Sequence, residues 1–410
     1  MKLNEFLNTS YTAYHTTANA VKMLEENGFV RFTLGCDAKF TVGGKYFVTM
    51  NDSSVIAFVV GSGNAFNVVE SHTDSPSFKV KGNCVITANG VTRVNTEKYG
   101  GGLLYSYFDR PMKIAGRLLT ETPDGVESQL VLSDYNVVIP SLCIHHNPTA
   151  NDGFQINPQT DTLPLLGLNA SDVYSTLTTK RVLDADLFVV PVTEAFRAGV
   201  DGELLCSPRI DNLTSVYSSI AAIVDAKPDG IAVAACLDNE EIGSGTRQGS
   251  PDFLHDVMDF VAEKLGIATD KYAEMRNNGM VLSVDNGHAV HPAHPEKYDP
   301  VAKVYMGKGV VVKHHVNYST DGLTSALFKR VAELADVSVQ DYYNNSAVRC
   351  GSTLGLVTSR EIGMKTCDIG IAQLAMHSAC ETIAIADVDS MTKVLTAFMS
   401  AKLSGNKVSL

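Results

Sequence analysis

Two adjacent carboxylates, Glu240 and Glu241, follow the apolar run Ile231-Ala-Val-Ala-Ala-Cys-Leu237 after only Asp238 and Asn239. A run of that character reads as a buried strand. The pair sits badly there as mere structure. An unpaired buried charge is costly, and adjacent like charges disfavour each other's ionisation. A bound cation would relieve both problems, with one carboxylate as ligand and the other free to move protons. Other groups of suitable chemistry are spread along the chain: His72 and Asp74 after the strand-like Phe66–Glu70, Asp285 after Met280–Val284, His377 after Ile369–Leu374, and Asp211 at the start of a candidate helix. In open α/β sheets, ligands gather at the carboxyl ends of strands. Two histidines with several carboxylates and no cysteine suit two divalent ions such as zinc, cobalt or manganese. A carboxylate such as Asp211 could bridge them. Two such ions can activate a water and stabilise the tetrahedral oxyanion that its attack creates.

These groups need a scaffold, and the hydrophobic pattern supplies one. Residues 3–27 have the spacing of one amphipathic helix, stopped at Asn27-Gly28. Tyr46–Val48, Val55–Val60 and Phe66–Glu70 read as strands. From about residue 184 strands and helices alternate: strands at Leu187–Pro191, Ile231–Leu237, Met280–Val284, Val337–Asp341 and Ile369–Leu374, helices beginning near Asp211 and spanning about 252–265, 322–335 and 387–402. This predicts an α/β layered domain with a mixed, largely parallel central sheet. Residues 80–183 differ, with short apolar segments punctuated by Gly100-Gly101-Gly102 and Pro123-Asp124-Gly125. They read as a β-rich insert dividing the catalytic domain into 1–79 and 184–410.

Composition excludes several functions. The 410 residues carry 33 Lys+Arg against 45 Asp+Glu, a formal net charge of −12, with no basic run. Nucleic acid and anionic membranes are therefore unsuitable partners. No apolar run approaches the roughly 18 residues that span a bilayer. The N-terminal Met1-Lys-Leu-Asn-Glu-Phe6 lacks the apolar core of a signal peptide. The eight cysteines form no Cys-x-x-Cys pair, and several lie in apolar runs. Reduced thiols in a cytoplasmic protein are expected.

Six segments occur in an order that resembles the aspartyl aminopeptidase family of dinuclear zinc exopeptidases: Ser71-His72-Thr73-Asp74-Ser75-Pro76, Tyr99-Gly-Gly-Gly102 with Phe108-Asp-Arg110, Ser207-Pro-Arg-Ile-Asp211-Asn-Leu213, Asp238-Asn-Glu240-Glu241-Ile-Gly-Ser244, Asp285-Asn-Gly-His288-Ala-Val-His291-Pro292, and Asp368 through His377-Ser378. The resemblance implies His72 and Asp285 on one metal, Glu241 and His377 on the other, and Asp211 between them. It implies Glu240 as the general base that takes a proton from the attacking water and returns it to the leaving amine, and Asp74 as the group that orients His72. It further implies a β-rich insert used for dimerisation, a homododecamer, and a histidine matching His145 supplied to the site by a neighbouring subunit. Lys313 matches a family lysine near the substrate, which points to acidic N-terminal residues. The following His314-His-Val-Asn-Tyr318 is shorter than the family segment and lacks its arginine, which leaves neutral residues open. His288 is expected to line the site or to be structural.

Each residue alone has a bland reading. Adjacent glutamates are usually solvated, Asp211-Asn212 could be a helix cap, and Asp74 could cap a turn. The expected activity is removal of single N-terminal residues from peptides. A dinuclear deacylase acting on N-acyl amino acids and a non-catalytic assembly protein of the same fold are the rival readings.

Overall fold

The computed structural model describes residues 1–410. Its centre is four neighbouring parallel strands in the order Ile231–Leu237, Phe66–His72, Met280–Val284, Thr366–Leu374. Antiparallel strands extend this core on both sides, Lys45–Met50 and Ser54–Val60 beyond Ile231–Leu237, and Glu381–Ala384, Leu204–Ser207 and Phe196–Ala198 beyond Thr366–Leu374. The sheet is therefore mixed with a parallel middle, as the alternation of strands and helices predicts.

Both faces of this sheet are covered, so its central strands are buried and mostly apolar, with Glu70 and Asp368 as buried carboxyls among them. Successive side chains of Ile231–Leu237 go to opposite faces. Ala232, Ala234 and Cys236 join the core beneath helices Ile210–Asp225 and Ile385–Ser400. Ile231, Val233, Ala235 and Leu237 join the core beneath helix Asp252–Lys264. The small residues of the first set leave room for the helix pair, which carries Val216, Ile220, Val394 and Phe398. Truncating Phe398 to alanine there would cost about 3–5 kcal/mol, because close-packed helices cannot collapse into the void.

The N-terminal segment departs from expectation. Instead of one helix it forms two, Leu3–Thr9 and Ala13–Glu26. The break falls in Ser10-Tyr-Thr12, where Thr12 is extended and Asn19 Nδ2 donates to Ser10 Oγ. Hydroxyl side chains offer such local alternatives to the helical ladder, and apolar spacing alone could not register it. Two further helices form at the mostly polar Thr269–Asn278 and at the nine-residue Leu354–Ile362.

A second sheet of six strands lies between residues 77 and 191: Ser77–Ala88, Val91–Tyr99, Met112–Thr122, Gly125–Leu132, Leu165–Gly167 and Val182–Pro191. It has its own core, with Phe78, Ile114, Leu118 and Val189. The apolar Leu187–Pro191, read above with the α/β part, pairs here with Met112–Thr122. Strand-like residues do not say which sheet they join. No helix is long and apolar enough to cross a membrane, and all eight cysteines are free thiols.

Candidate metal centre

The four central parallel strands end on one edge of the sheet, and the chemistry begins there. His72 closes its strand opposite Leu237. Asp285 directly follows its own strand, its N–H donating to Ile369 O at 2.9 Å. Glu240 and Glu241 lie in one turn of 3-10 helix just past Leu237, and His377 in the turn after Leu374. Asp211 enters from the start of helix Ile210–Asp225. It does not cap that helix. Its backbone and that of Asn212 are non-helical, and its carboxylate turns to the imidazoles.

These side chains form two sets that share one member. His72, Asp211 and Asp285 each offer a ligand atom, all mutually within 4.8 Å, and so do Asp211, Glu241 and His377. The two oxygens of Asp211 divide between them: Oδ1 lies 3.4 Å from His72 Nε2 and Oδ2 lies 3.3 Å from His377 Nε2. Asp285 Oδ1 is 3.6 Å from His72 Nε2, and Glu241 Oε1 is 3.4 Å from His377 Nε2. Glu240 joins a third grouping with His72 and Glu241, but it has no imidazole pairing of its own. It lines the same pocket as the ligand sets.

Each imidazole is oriented from behind. His72 Nδ1 lies 3.1 Å from Asp74 O and 3.4 Å from Asp74 Oδ1. His377 Nδ1 lies 3.1 Å from Gly101 O. Both arrangements put the proton on Nδ1 and turn the Nε2 lone pair inward, the tautomer a metal needs. Asp74 is itself held. Tyr99 donates its hydroxyl to Oδ2 at 2.7 Å, and the backbone N–H groups of Glu240 and Glu241 donate to Oδ1 and Oδ2 at 3.2 Å. Asn239 Nδ2 donates in turn to the Tyr99 hydroxyl at 2.8 Å.

The donor set fits divalent cations. Asp211 Oδ1 and Glu241 Oε1 are buried yet accept no hydrogen bond, and such oxygens call for an explanation. Burial pushes Glu240 up to about 8, with His72 opposing and Asp285, Asp74 and Asp211 reinforcing. Burial likewise raises Glu241 well above the ordinary range. Burial alone would lower His72 and His377. The facing carboxylates, Asp211 first and at His72 also Asp285 and Asp74, overcome it and raise both, His377 to about 10. Asp211 is held below the usual carboxylate range despite burial, because both imidazoles face it. The carboxylates gathered in the two ligand sets call for positive charge between them. Two divalent ions would supply it and take the imidazoles in their neutral form.

The centre opens into a pocket of about 200 Å³ lined also by His288, Lys313, Tyr318 and Thr353. Lys313 is buried, donates to Asp285 Oδ2 at 3.2 Å and lies over the Tyr318 ring. His145 is exposed on a loop of the second-sheet segment and is not among the residues lining this pocket. A larger cavity of about 510 Å³ lies on the other side of Asp74 but contains none of the candidate ligands. Its arginines are engaged, Arg117 by Asp186 and Arg209 by the carbonyls of Ser10 and Pro191.

Sequence reasoning missed three supporting residues. Tyr99 was visible only as the start of a glycine run. Asn239 adopts a left-handed φ of 60° beside the glutamates, a conformation asparagine tolerates. Glu381 accepts the backbone N–H groups of both His377 and Asp211. The available signal was a carboxylate opening the otherwise uncharged Glu381–Ala384, four residues after a histidine.

Comparison with known proteins agrees with this geometry. The family described as aminopeptidase I zinc metalloprotease (M18) matches residues 6–399. A probable M18 family aminopeptidase 2 of Clostridium acetobutylicum is 36% identical over 406 residues, covering 93% of either chain. A chain in the cryo-EM structure of the Ape4 and Nbr1 complex superposes with a TM-score of 0.91 at 31% identity, over 97% of this chain and 84% of that one. The fold is shared too with the mApe1 dodecamer of S. cerevisiae, at a TM-score of 0.81 and 24% identity over 97% of this chain and 95% of that one. The chain belongs to the M18 family of zinc metallo-aminopeptidases, the aspartyl aminopeptidase family that its motifs resemble.

Proposed function

We propose that this aminopeptidase removes single N-terminal residues from peptides with two divalent ions per subunit, zinc in the first instance. His72, Asp211 and Asp285 would hold one ion, and Asp211, Glu241 and His377 the other. The observation that carries this reading is the division of the two Asp211 oxygens between His72 and His377. When bound, the ions would polarise the scissile carbonyl and lower the pKa of the attacking water. Glu240 would accept the water's proton and pass it to the departing amine. Its neighbour Glu241 is committed to His377 and its amide to Asp74, which keeps the Glu240 carboxyl free for that transfer. Asp74 and Gly101 O hold the imidazoles in the ligating tautomer.

The excess of carboxylates favours a substrate with a free α-ammonium over an N-acylated one, which supports an aminopeptidase rather than a deacylase. An acidic first residue is proposed on one observation: Lys313 is the sole lysine or arginine lining the pocket. The fold shared with the mApe1 dodecamer supports assembly of this chain into a homododecamer, and its eight free thiols suit the reducing cytoplasm. In that assembly the exposed His145 would reach a neighbour's pocket. A dipeptide panel with Asp, Glu, Leu and Ala in first position, assayed with zinc, cobalt and manganese, tests the reading. Cleavage of Asp and Glu ahead of Leu and Ala is expected. The reverse order overturns the acidic preference alone, whereas cleavage confined to N-acyl amino acids overturns the aminopeptidase assignment.

A further inference from the structure

Among the buried titratable groups around the centre, Glu381 has no role in the chemistry described above. It opens the strand Glu381–Ala384, pairs across to Ser207 and is 1% exposed. It forms no ion pair within 4 Å, and the nearby Arg209 donates to Ser10 O and Pro191 O. Its carboxylate meets two backbone amides instead. Oε1 accepts from His377 N at 2.6 Å and Oε2 from Asp211 N at 2.9 Å.

Those two amides belong to segments that need holding. His377 has a φ of 66° and Arg209, two residues before Asp211, a φ of 59°, both in the left-handed region that side chains disfavour. Asp211 itself leaves helical geometry. Backbone of that kind persists where the surroundings fix it. One rigid planar group accepting from both amides sets the distance between the two segments, and with it the 3.3 Å between Asp211 Oδ2 and His377 Nε2.

We propose that Glu381 is a positioning residue of the metal centre, tying the backbone of the bridging Asp211 to that of His377 so that both are pre-set for the same ion. This rests on the reading of Asp211 and His377 as ligands of one ion. Glutamine has the same shape but turns an N–H donor toward one of the two amides, so E381Q breaks the tie with little change in volume. Zinc affinity is read by competition with a chromophoric chelator, zinc content by elemental analysis, and the fold by thermal unfolding of the metal-stripped protein.

The expected result is at least a tenfold loss in affinity for one of two zinc ions in E381Q, within the range that lost supporting hydrogen bonds produce, with unfolding of the stripped protein unchanged. Introducing E381Q into H377A should add much less, because the histidine it positions is gone. E381D keeps a carboxyl group but reaches only one amide; it is expected to fall between the two, and it carries the test should glutamine prevent folding. E381Q and E381D proteins that bind both ions as wild type does would overturn the proposal, as would an undiminished effect of E381Q in the H377A background. A wild-type protein that binds fewer than two ions would instead overturn the dinuclear reading, which separates the two failures.

Discussion

Glu240 and Glu241 are adjacent in sequence yet meet different surroundings. Glu241 Oε1 faces His377, while Glu240 lines the pocket without an imidazole of its own. Replacing Glu240 by glutamine should therefore lower kcat by at least ~10²-fold, the lower end of what a positioned general base contributes, while elemental analysis still finds two ions. Full activity in E240Q would refute the base assignment. Asp211 makes the opposite prediction. As the shared ligand, D211N should lose both ions together, and retention of one full equivalent would show that the sites do not share it. Glu240 stood out in the sequence as a carboxylate just beyond an apolar run, whereas Asp211, after Ser207-Pro-Arg-Ile, read alone as a helix cap and drew its bridging role from the family resemblance. Tyr99 and Glu381 were not legible there. Their roles depend on contacts with segments remote in sequence, and no local pattern marks a hydroxyl or carboxylate that serves a backbone or another side chain.

At the scale of elements, the parallel order of four strands brings His72, Glu241, Asp285 and His377 to one edge. Strand Thr366–Leu374 does so under tight packing. A Cβ added at Gly370 would lie 1.9 Å from the Asp285 carbonyl oxygen. G370A should destabilise the metal-stripped protein by about 1–3 kcal/mol, as overpacking does, measured by urea unfolding; an unchanged midpoint would show that the strands can separate there. A second prediction concerns the helix Ala13–Glu26. His15 is lowered to about 4, by burial first and Arg209 second, from an ordinary 6.5. The unfolded chain then binds a proton between those values that the folded chain refuses. This contribution is complete above pH 6.5 and is lost as the pH falls toward 4. H15N should flatten that part of the pH–stability curve relative to wild type; parallel curves would remove His15 as the cause. Ile231–Leu237 was readable because burial on both faces writes a continuous apolar run. The break at Ser10–Thr12 was not, because apolar spacing continues across it while hydroxyl hydrogen bonds end the helix.

At the scale of the molecule, the proposed assembly makes a prediction that a single subunit cannot. His145 lies outside its own pocket. If it serves a neighbour, H145A subunits lack a donated group but keep an intact centre, and E240Q subunits lack the base but can donate. Co-expression of the two variants, each nearly inactive alone, should restore measurable activity in mixed oligomers separated by affinity tags. Absence of restoration would confine His145 to a local role. The sequence alone showed an insert rich in strand signals, but sheet membership is decided by pairing. Leu187–Pro191 has the apolar character of either sheet and joins the second.

The second sheet also ends in the centre: Tyr99 holds Asp74, and the Gly101 carbonyl holds His377. The site thus draws on residues from 72 to 381, spread across most of the chain. During synthesis, a ribosome-bound chain has His72 and the whole second sheet long before His377 and Glu381 emerge. Folding of the earlier part cannot complete the centre. A hydrolase able to trim free N-termini therefore stays inert beside its own ribosome until nearly all of it has been made, a timing written into the order of the residues.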